Sequence, residues 1–189
     1  MTTILIVRHG EDTDNAKGIL NGHRDTELTE KGSEQSKEVA QQLTDRSISF
    51  IYSSPLKRCQ ETAKIISAKI NNLPVFTERK LTERNFGIFT GKPEADIYKY
   101  ANKTFSTDRI TYFLEGIDVE EFPDLLRRAK GVMDKILTLH KDSTILIVTH
   151  GDMAKMLQAA YYGWTWKEAL SAPYIPNTGI IELSSKNVE

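Results

Sequence analysis

The chain has one cysteine, Cys59, in 189 residues, so no disulfide can form within it. That usage fits a reducing compartment, although Cys59 reads equally well as one small core residue. Long apolar runs are also missing. Stretches such as ILIV at 4–7 and 145–148 are strand-length, well short of the roughly 20 residues a membrane-spanning helix needs. The first of them is too short for a signal peptide and is broken by Arg8, so the expectation is a soluble, cytoplasmic protein with no membrane partner. Charge of one sign is lacking too, since 25 Lys+Arg stand against 26 Asp+Glu for a net of -1. The basic residues form no stripe, which argues against nucleic acid as a partner. No repeat, low-complexity stretch or interdomain linker is visible. At 39% hydrophobic, 189 residues suffice for one sizeable core, and a single domain over 1–189 is predicted.

What is present is alternation. An apolar strand over 3–8 is followed by a polar, turn-rich loop and then by a helix from about Leu28 to Leu43, with Thr29 as its cap. Ile48 to Tyr52 reads as the next strand. From Pro55 the positions Leu56, Cys59, Ala63, Ile66 and Ile70 step by three and four, the buried face of a helix with proline in its first turn. Pro74 to Thr77 gives a short strand. A second stripe, Phe122, Leu125, Ala129, Val132, Ile136 and Leu139, marks a long helix. Ser143 to Val148 is a strand, Met153, Met156, Leu157, Ala160 and Tyr161 line another helix, and Gly179 to Leu183 is a last edge strand. Near-continuous apolar strands alternating with amphipathic helices predict an α/β three-layer sandwich: a mostly parallel central sheet with helices on both faces. The stretch 92–121, which holds Tyr98, Tyr100, Phe105, Tyr112 and Phe113, reads as a small helical cap over the strand ends. Its aromatics either pack the cap down or line an apolar pocket. Trp164 and Trp166 are assigned to packing, and His140 to a helix end.

Ligands of open α/β sheets gather outside the carboxyl ends of the strands. Arg8-His9-Gly10 and Thr149-His150-Gly151 both leave such ends, which puts two histidines, each followed by glycine, on one crevice. Arg58 lies in the first turn of its helix and points away from the apolar stripe. It is either a solvated arginine pairing with Glu61 or, at a helix N-terminus after Ser53-Ser54-Pro55, part of a phosphate site. Glu83 sits in a segment without periodicity. It is either a solvated loop carboxylate or, beside a phosphate, a proton donor whose surroundings raise its affinity for a proton.

An ordered set of motifs carries a resemblance: Arg8-His9-Gly10-Glu11 with Asn15, Leu28 to Gly32, Ser53 to Arg58, Leu81 to Gly87, and Val148 to Gly151 with Asn177-Thr178. In these the chain resembles the histidine phosphatase superfamily, in its phosphoglycerate mutase-like branch. The resemblance implies a phosphohistidine mechanism acting on small phosphorylated substrates without a metal or other cofactor. His9 would be the nucleophile, Arg8, Arg58 and a protonated His150 would hold the phosphoryl oxygens, and Glu83 would be the acid and base. Asn15, Asn21 and the backbone amides of Gly22 and Gly151 would add phosphate contacts.

The sequence departs from the family pattern at three places. Asp12 stands where the family usually has a small hydroxyl residue, His23 where an aromatic is common, and Asp152 where a small residue is more usual. Asp12 and Asp152 either tune substrate choice or point to solvent, the latter being the expectation. The stretch 92–121 lacks the arginine pair with which mutases of the branch grip a phosphoglycerate carboxylate. The expected activity is therefore hydrolysis of small organic phosphates. A mutase, a metallohydrolase using His9 and His150 as ligands, and a non-catalytic phospholigand binder are the alternatives, and oligomeric state is not readable.

Overall fold

The computed structural model describes residues 2–107 and 109–184. Its central sheet has five strands in the order β3-β2-β6-β1-β7. β1 is Thr3–Arg8, β2 Ile48–Ser53, β3 Val75–Thr77, β6 Thr144–Thr149 and β7 Ile180–Leu183. β1, β2, β3 and β6 run parallel, and only the edge strand β7 is antiparallel to its neighbour β1. A small antiparallel hairpin, β4 (Thr104–Ser106) with β5 (Thr111–Phe113), stands apart.

The continuous apolar character of β1 and β6 has a two-sided cause. Ile4, Ile6, Ile145 and Ile147 face α4 (Phe122–Leu139) and α5 (Gly151–Tyr162), while Leu5, Val7, Leu146 and Val148 face α1 (Glu30–Gln42) and α2 (Lys57–Lys69). All eight are fully buried, each contributing roughly 1.5–3 kcal/mol of transfer free energy. The predicted sandwich is what forms, with α6 (Trp166–Ser171) packed against α5.

Several local expectations shift. Thr29 does cap α1, accepting from the Gly32 amide. Helix α2 begins at Lys57 with Leu56 as its capping position, which leaves Pro55 outside the first turn. Leu139, the last member of the α4 stripe, is 59% exposed because the helix runs past the layer it packs on. On α5 the buried face is wider than the stripe. It takes in Ala154, Lys155 and Ala159, while Ala160 and Tyr161 are half-buried.

The stretch 92–121 is not simply helical. It holds α3 (Ile97–Tyr100) and the β4–β5 hairpin, whose threonines and aromatics suit a pleated pair better than a helix. Phe113 joins Phe86, Phe89 and Ile97 in a small cluster of its own, and Tyr112 faces the opposite way, edge-on to Phe122. Among the described residues no helix is long and apolar enough to cross a membrane.

Candidate active site

The register of the two central strands builds the site. Arg8 pairs with Thr149 across the β1–β6 ladder, so the residues that follow emerge side by side at the carboxyl edge. The His9 and His150 rings consequently meet edge to face, 5.2 Å between centroids, and both are buried. His9 Nδ1 lies 2.7 Å from the Gly10 carbonyl oxygen. Only a protonated nitrogen can satisfy a carbonyl, so this contact assigns the proton to Nδ1 and leaves the lone pair on Nε2, which accepts from Arg58 Nε at 3.2 Å. Burial, reinforced by Arg58 and Arg8, holds the His9 pKa well below its usual range. The ring is a neutral imidazole.

Arg58 is not solvated and does not pair with Glu61. It is fully buried, its Nη1 donating to the Arg24 carbonyl and its Nη2 to that of Gly22, at 2.7 and 2.9 Å. Arg8 spreads along the opposite wall, with Nη1 donating to the Tyr174 hydroxyl and the Ile175 carbonyl. Its Nε is buried with no partner, a donor without an acceptor in the protein. His150 Nε2 meets the Ser54 hydroxyl at 2.7 Å, with Cys59 Sγ at 3.4 Å. Burial first, then Arg58, His9, Arg8 and His23, press its pKa well below the ordinary value. By itself the protein thus disfavours the protonated form expected of His150, because two guanidiniums crowd a desolvated ring.

Glu83 is buried as well, against the expectation for an ordinary loop carboxylate. The Thr149 hydroxyl donates to the Leu81 carbonyl and Arg128 to that of Glu83, pinning the segment to the sheet edge and α4. Its carboxyl group accepts from the amides of Arg84 (2.9 Å), Met153 (3.1 Å) and Asp152 (3.3 Å), the last two in the first turn of α5. Those bonds and Arg58 favour the anion, yet burial and the neighbouring Asp152 charge outweigh them and push its pKa up to about 7.

Arg8, His9, Asn15, Asn21, Glu83 and Gly151 line a cavity of about 500 Å³ whose far side is made by 97 and 109–113. Arg58, His150 and Gly22 are buried and do not line it, and Gly22 meets Arg58 through its carbonyl. The glycines after the two histidines differ in purpose. A Cβ on Gly10 would sit 2.4 Å from the Gly32 carbonyl oxygen, so Gly10 is required by the close approach of α1. A Cβ on Gly151 would lie in ordinary contact, 3.9 Å from Arg8 and Glu83, on the cavity itself.

A family model described as the histidine phosphatase superfamily (branch 1) matches residues 4–188. This chain belongs to that superfamily. It is 39% identical over 158 residues to phosphoglycerate mutase-like protein 4 of Arabidopsis thaliana, covering 82% of this chain and 68% of that one. It is 30% identical over 164 residues to phosphoserine phosphatase 1 of Hydrogenobacter thermophilus, covering 86% and 77%. The solved structure of Bacillus stearothermophilus YhfR, 28% identical, matches with a TM-score of 0.80 over 97% of this chain and 91% of that one.

In this histidine phosphatase superfamily member neither unusual aspartate points to solvent. Asp12 is fully buried, and Asp152, half-buried, receives the Nε of Arg84 at 2.7 Å. Arg84 itself, unremarked in the sequence, is buried between the Phe113 and Phe122 rings, 4.3 and 4.2 Å from their centroids. Nothing in the pattern announces it. Lys155 also went unremarked, because it falls outside the α5 apolar stripe on a face that only the fold buries. Its Nζ has four carbonyls within hydrogen-bond reach of its three protons, among them Ala172 at 2.6 Å and Pro173 at 3.2 Å. It thereby anchors the chain that delivers Tyr174 and Ile175 to Arg8. Among the described residues no group of three or more His, Cys, Asp or Glu is disposed to hold a metal ion.

Proposed function

We propose that the chain is a phosphomonoester hydrolase working through a covalent phosphohistidine on His9. The observation that carries this reading is one pairing at one cavity: a neutral imidazole whose proton is held on Nδ1, and a carboxyl group whose pKa of about 7 keeps it partly protonated at neutral pH.

In the first step His9 Nε2 bonds to phosphorus, the ester P–O bond breaks, and the leaving alkoxide takes the Glu83 proton. In the second, water bonds to phosphorus and gives a proton to Glu83, while the P–N electron pair returns to Nε2. Arg58, whose Nε contacts His9 Nε2, passes to the phosphoryl oxygens, and the unpartnered Nε of Arg8 finds its acceptor there. Asn15, Asn21 and the amide of Gly151 complete the cradle, and Gly22 serves it from behind by holding Arg58 through its carbonyl. A phosphoryl dianion beside His150 supplies the negative charge that draws a proton onto that ring, reversing the bias the protein alone imposes. Fixed cations supply the charge that spreads over the phosphoryl oxygens, so the scheme uses no metal ion.

The substrate class is small organic phosphates, in keeping with relatives named phosphoserine phosphatase and broad-specificity phosphatase. The name of the Arabidopsis relative favours a second reading, return of the phosphoryl group to a substrate hydroxyl. Against it, segment 92–121 presents a single arginine, Arg109, to grip a phosphoglycerate carboxylate. We take 1–189 as one domain with 92–121 as its cap, and the cytoplasm as its compartment, which suits a lone, buried thiol whose pKa burial drives upward.

Phosphate release from a panel of phosphomonoesters, with chelator present and His9→Ala alongside, tests the reading. Release by the unaltered protein alone is expected. Release that needs a divalent metal, or survives in His9→Ala, overturns it, and phosphorylated isomer in place of free phosphate establishes the mutase.

A further inference from the structure

Two buried acids stand idle in the scheme above, Asp14, which pairs with Arg24, and Asp12, which alone of the two faces His9. Asp12 Oδ1 accepts from the backbone amides of Asp14 and Asn15, both at 2.9 Å, and its Oδ2 accepts from Asn21 Nδ2 at 2.7 Å. The same Oδ2 lies 3.4 Å from Arg58 Nε and 3.8 Å from His9 Nδ1. All five neighbours are donors, and a carboxyl group facing only donors is an acceptor in its ionised form. A full negative charge, shut away from water, therefore stands beside the nitrogen of His9 that does not react. The loop geometry does not demand it, since a hydroxyl could cap the Asp14 and Asn15 amides as well.

We propose that Asp12 is a positioning residue for the second half-reaction: its carboxylate keeps the proton on His9 Nδ1 once Nε2 carries the phosphoryl group. The proposal rests on the phosphohistidine reading and says which half of that reaction this chain has reinforced. The chemistry is simple. Phosphorylation of Nε2 makes the ring a cation as long as Nδ1 stays protonated. When water attacks, the P–N bond breaks and its electron pair returns to Nε2, so a ring that kept its Nδ1 proton leaves as neutral imidazole. A ring that had lost that proton would have to leave as imidazolate, a far poorer leaving group.

The Gly10 carbonyl holds the proton by a hydrogen bond, but a neutral dipole gives a cationic ring less than a buried carboxylate does. Every other charged neighbour opposes retention: Arg8 from β1, Arg58 from α2, and His150 ahead of α5 once it is protonated. Glu83 lines the same cavity, but it accepts a proton from the attacking water and carries negative charge only until then. Asp12 is the anion on the Nδ1 side.

The expected signature is an unequal effect on the two steps. Asp12→Ser retains an acceptor for the two amides while removing the charge, and Asp12→Asn removes the charge with less change of volume. With an activated aryl phosphate, which needs little help to leave, rapid quench should show phosphoenzyme forming at near the normal rate. It should then break down more slowly, about tenfold for each pH unit by which the Nδ1 proton affinity falls. Steady-state release would gain a stoichiometric burst of aryl alcohol, and acid-labile phosphate would accumulate on the protein. Breakdown of the isolated phosphoenzyme should decline with rising pH in the variants at a lower pH than in the unaltered protein.

Thermal melts of both variants separate misfolding from chemistry. Should both unfold, phosphoenzyme breakdown in the unaltered protein carries the test alone, and a rate that falls as pH rises through 6 to 7 overturns the proposal. Unchanged breakdown in folded variants overturns it as well, as does slower formation without accumulation, which is what a purely structural role would give. Failure to detect any phosphohistidine in the unaltered protein is a different result, which refutes the underlying mechanism.

Discussion

Glu83 is held in a site that suits its chemistry and harms the fold, so removing its charge should stabilise the protein where activity is lost. Its pKa rises from the ordinary 4.5 to about 7. Between those values the native state binds more protons than the unfolded chain, so this group costs stability as pH rises through that window, and the cost stays in full above it. At about 1.4 kcal/mol per pH unit the penalty is roughly 3 kcal/mol in alkaline solution.

Glu83→Gln escapes that penalty. Its carbonyl oxygen can still accept from the Arg84 and Met153 amides, while its amide group replaces the long 3.3 Å acceptor for Asp152, a loss of about 1 kcal/mol. The net expectation is a gain of about 2 kcal/mol at pH 8.5, or roughly 4–8 °C in Tm for a chain of this length. Below pH 4.5 the gain vanishes or reverses slightly. His9 and His150, whose pKa values are depressed in the fold, lower stability as pH drops below about 6.5, but they do so in both proteins and cancel from the difference. Urea unfolding of the two proteins side by side from pH 4 to 9 measures that difference. A gap independent of pH, or a variant less stable at pH 8.5, would refute the account of Glu83.

Asp152→Asn removes the charge that helps lift the Glu83 pKa, so the alkaline limb of kcat/KM for alkyl phosphates should move to lower pH by about one unit. An unmoved limb would assign the whole lift to burial. Arg84→Met leaves the half-buried Asp152 carboxylate without its charged partner, and should cost about 1–3 kcal/mol in denaturant unfolding. A loss under 1 kcal/mol would show that water reaches Asp152 freely. Gly32→Ala places a Cβ 2.0 Å from the Glu11 carbonyl oxygen, forcing α1 off the loop that carries His9. It should lose about 1–3 kcal/mol and show reduced turnover, and normal behaviour in both melts and turnover would mean the contact relaxes without strain.

The alternation of buried strands with striped helices was legible because period and burial are written locally: β1 and β6 are apolar on both sides, and α4 buries five of the six residues in its predicted stripe. The strand-end positions of His9 and His150, and the ordered motifs with Arg8, Arg58 and Glu83, follow from the same local text. Relations between distant segments were not legible. The cap's hairpin, written in three-residue strands, was too short for periodicity to separate from a helix. Arg84 and Asp152 stand 68 positions apart, and only the folded chain makes them partners and sandwiches the arginine between two rings. Asp12 looked solvated because most aspartates are; it became the buried centre of five donors only when its loop closed over Asn21 and Arg58. Charge state was decided at this level too, since the neutral His9 and His150 and the proton-retaining Glu83 owe their condition to desolvation and to neighbours from other elements. Sequence determines which residues arrive at a strand end, whereas burial and through-space charge, properties of the packed assembly, determine what those residues can do there.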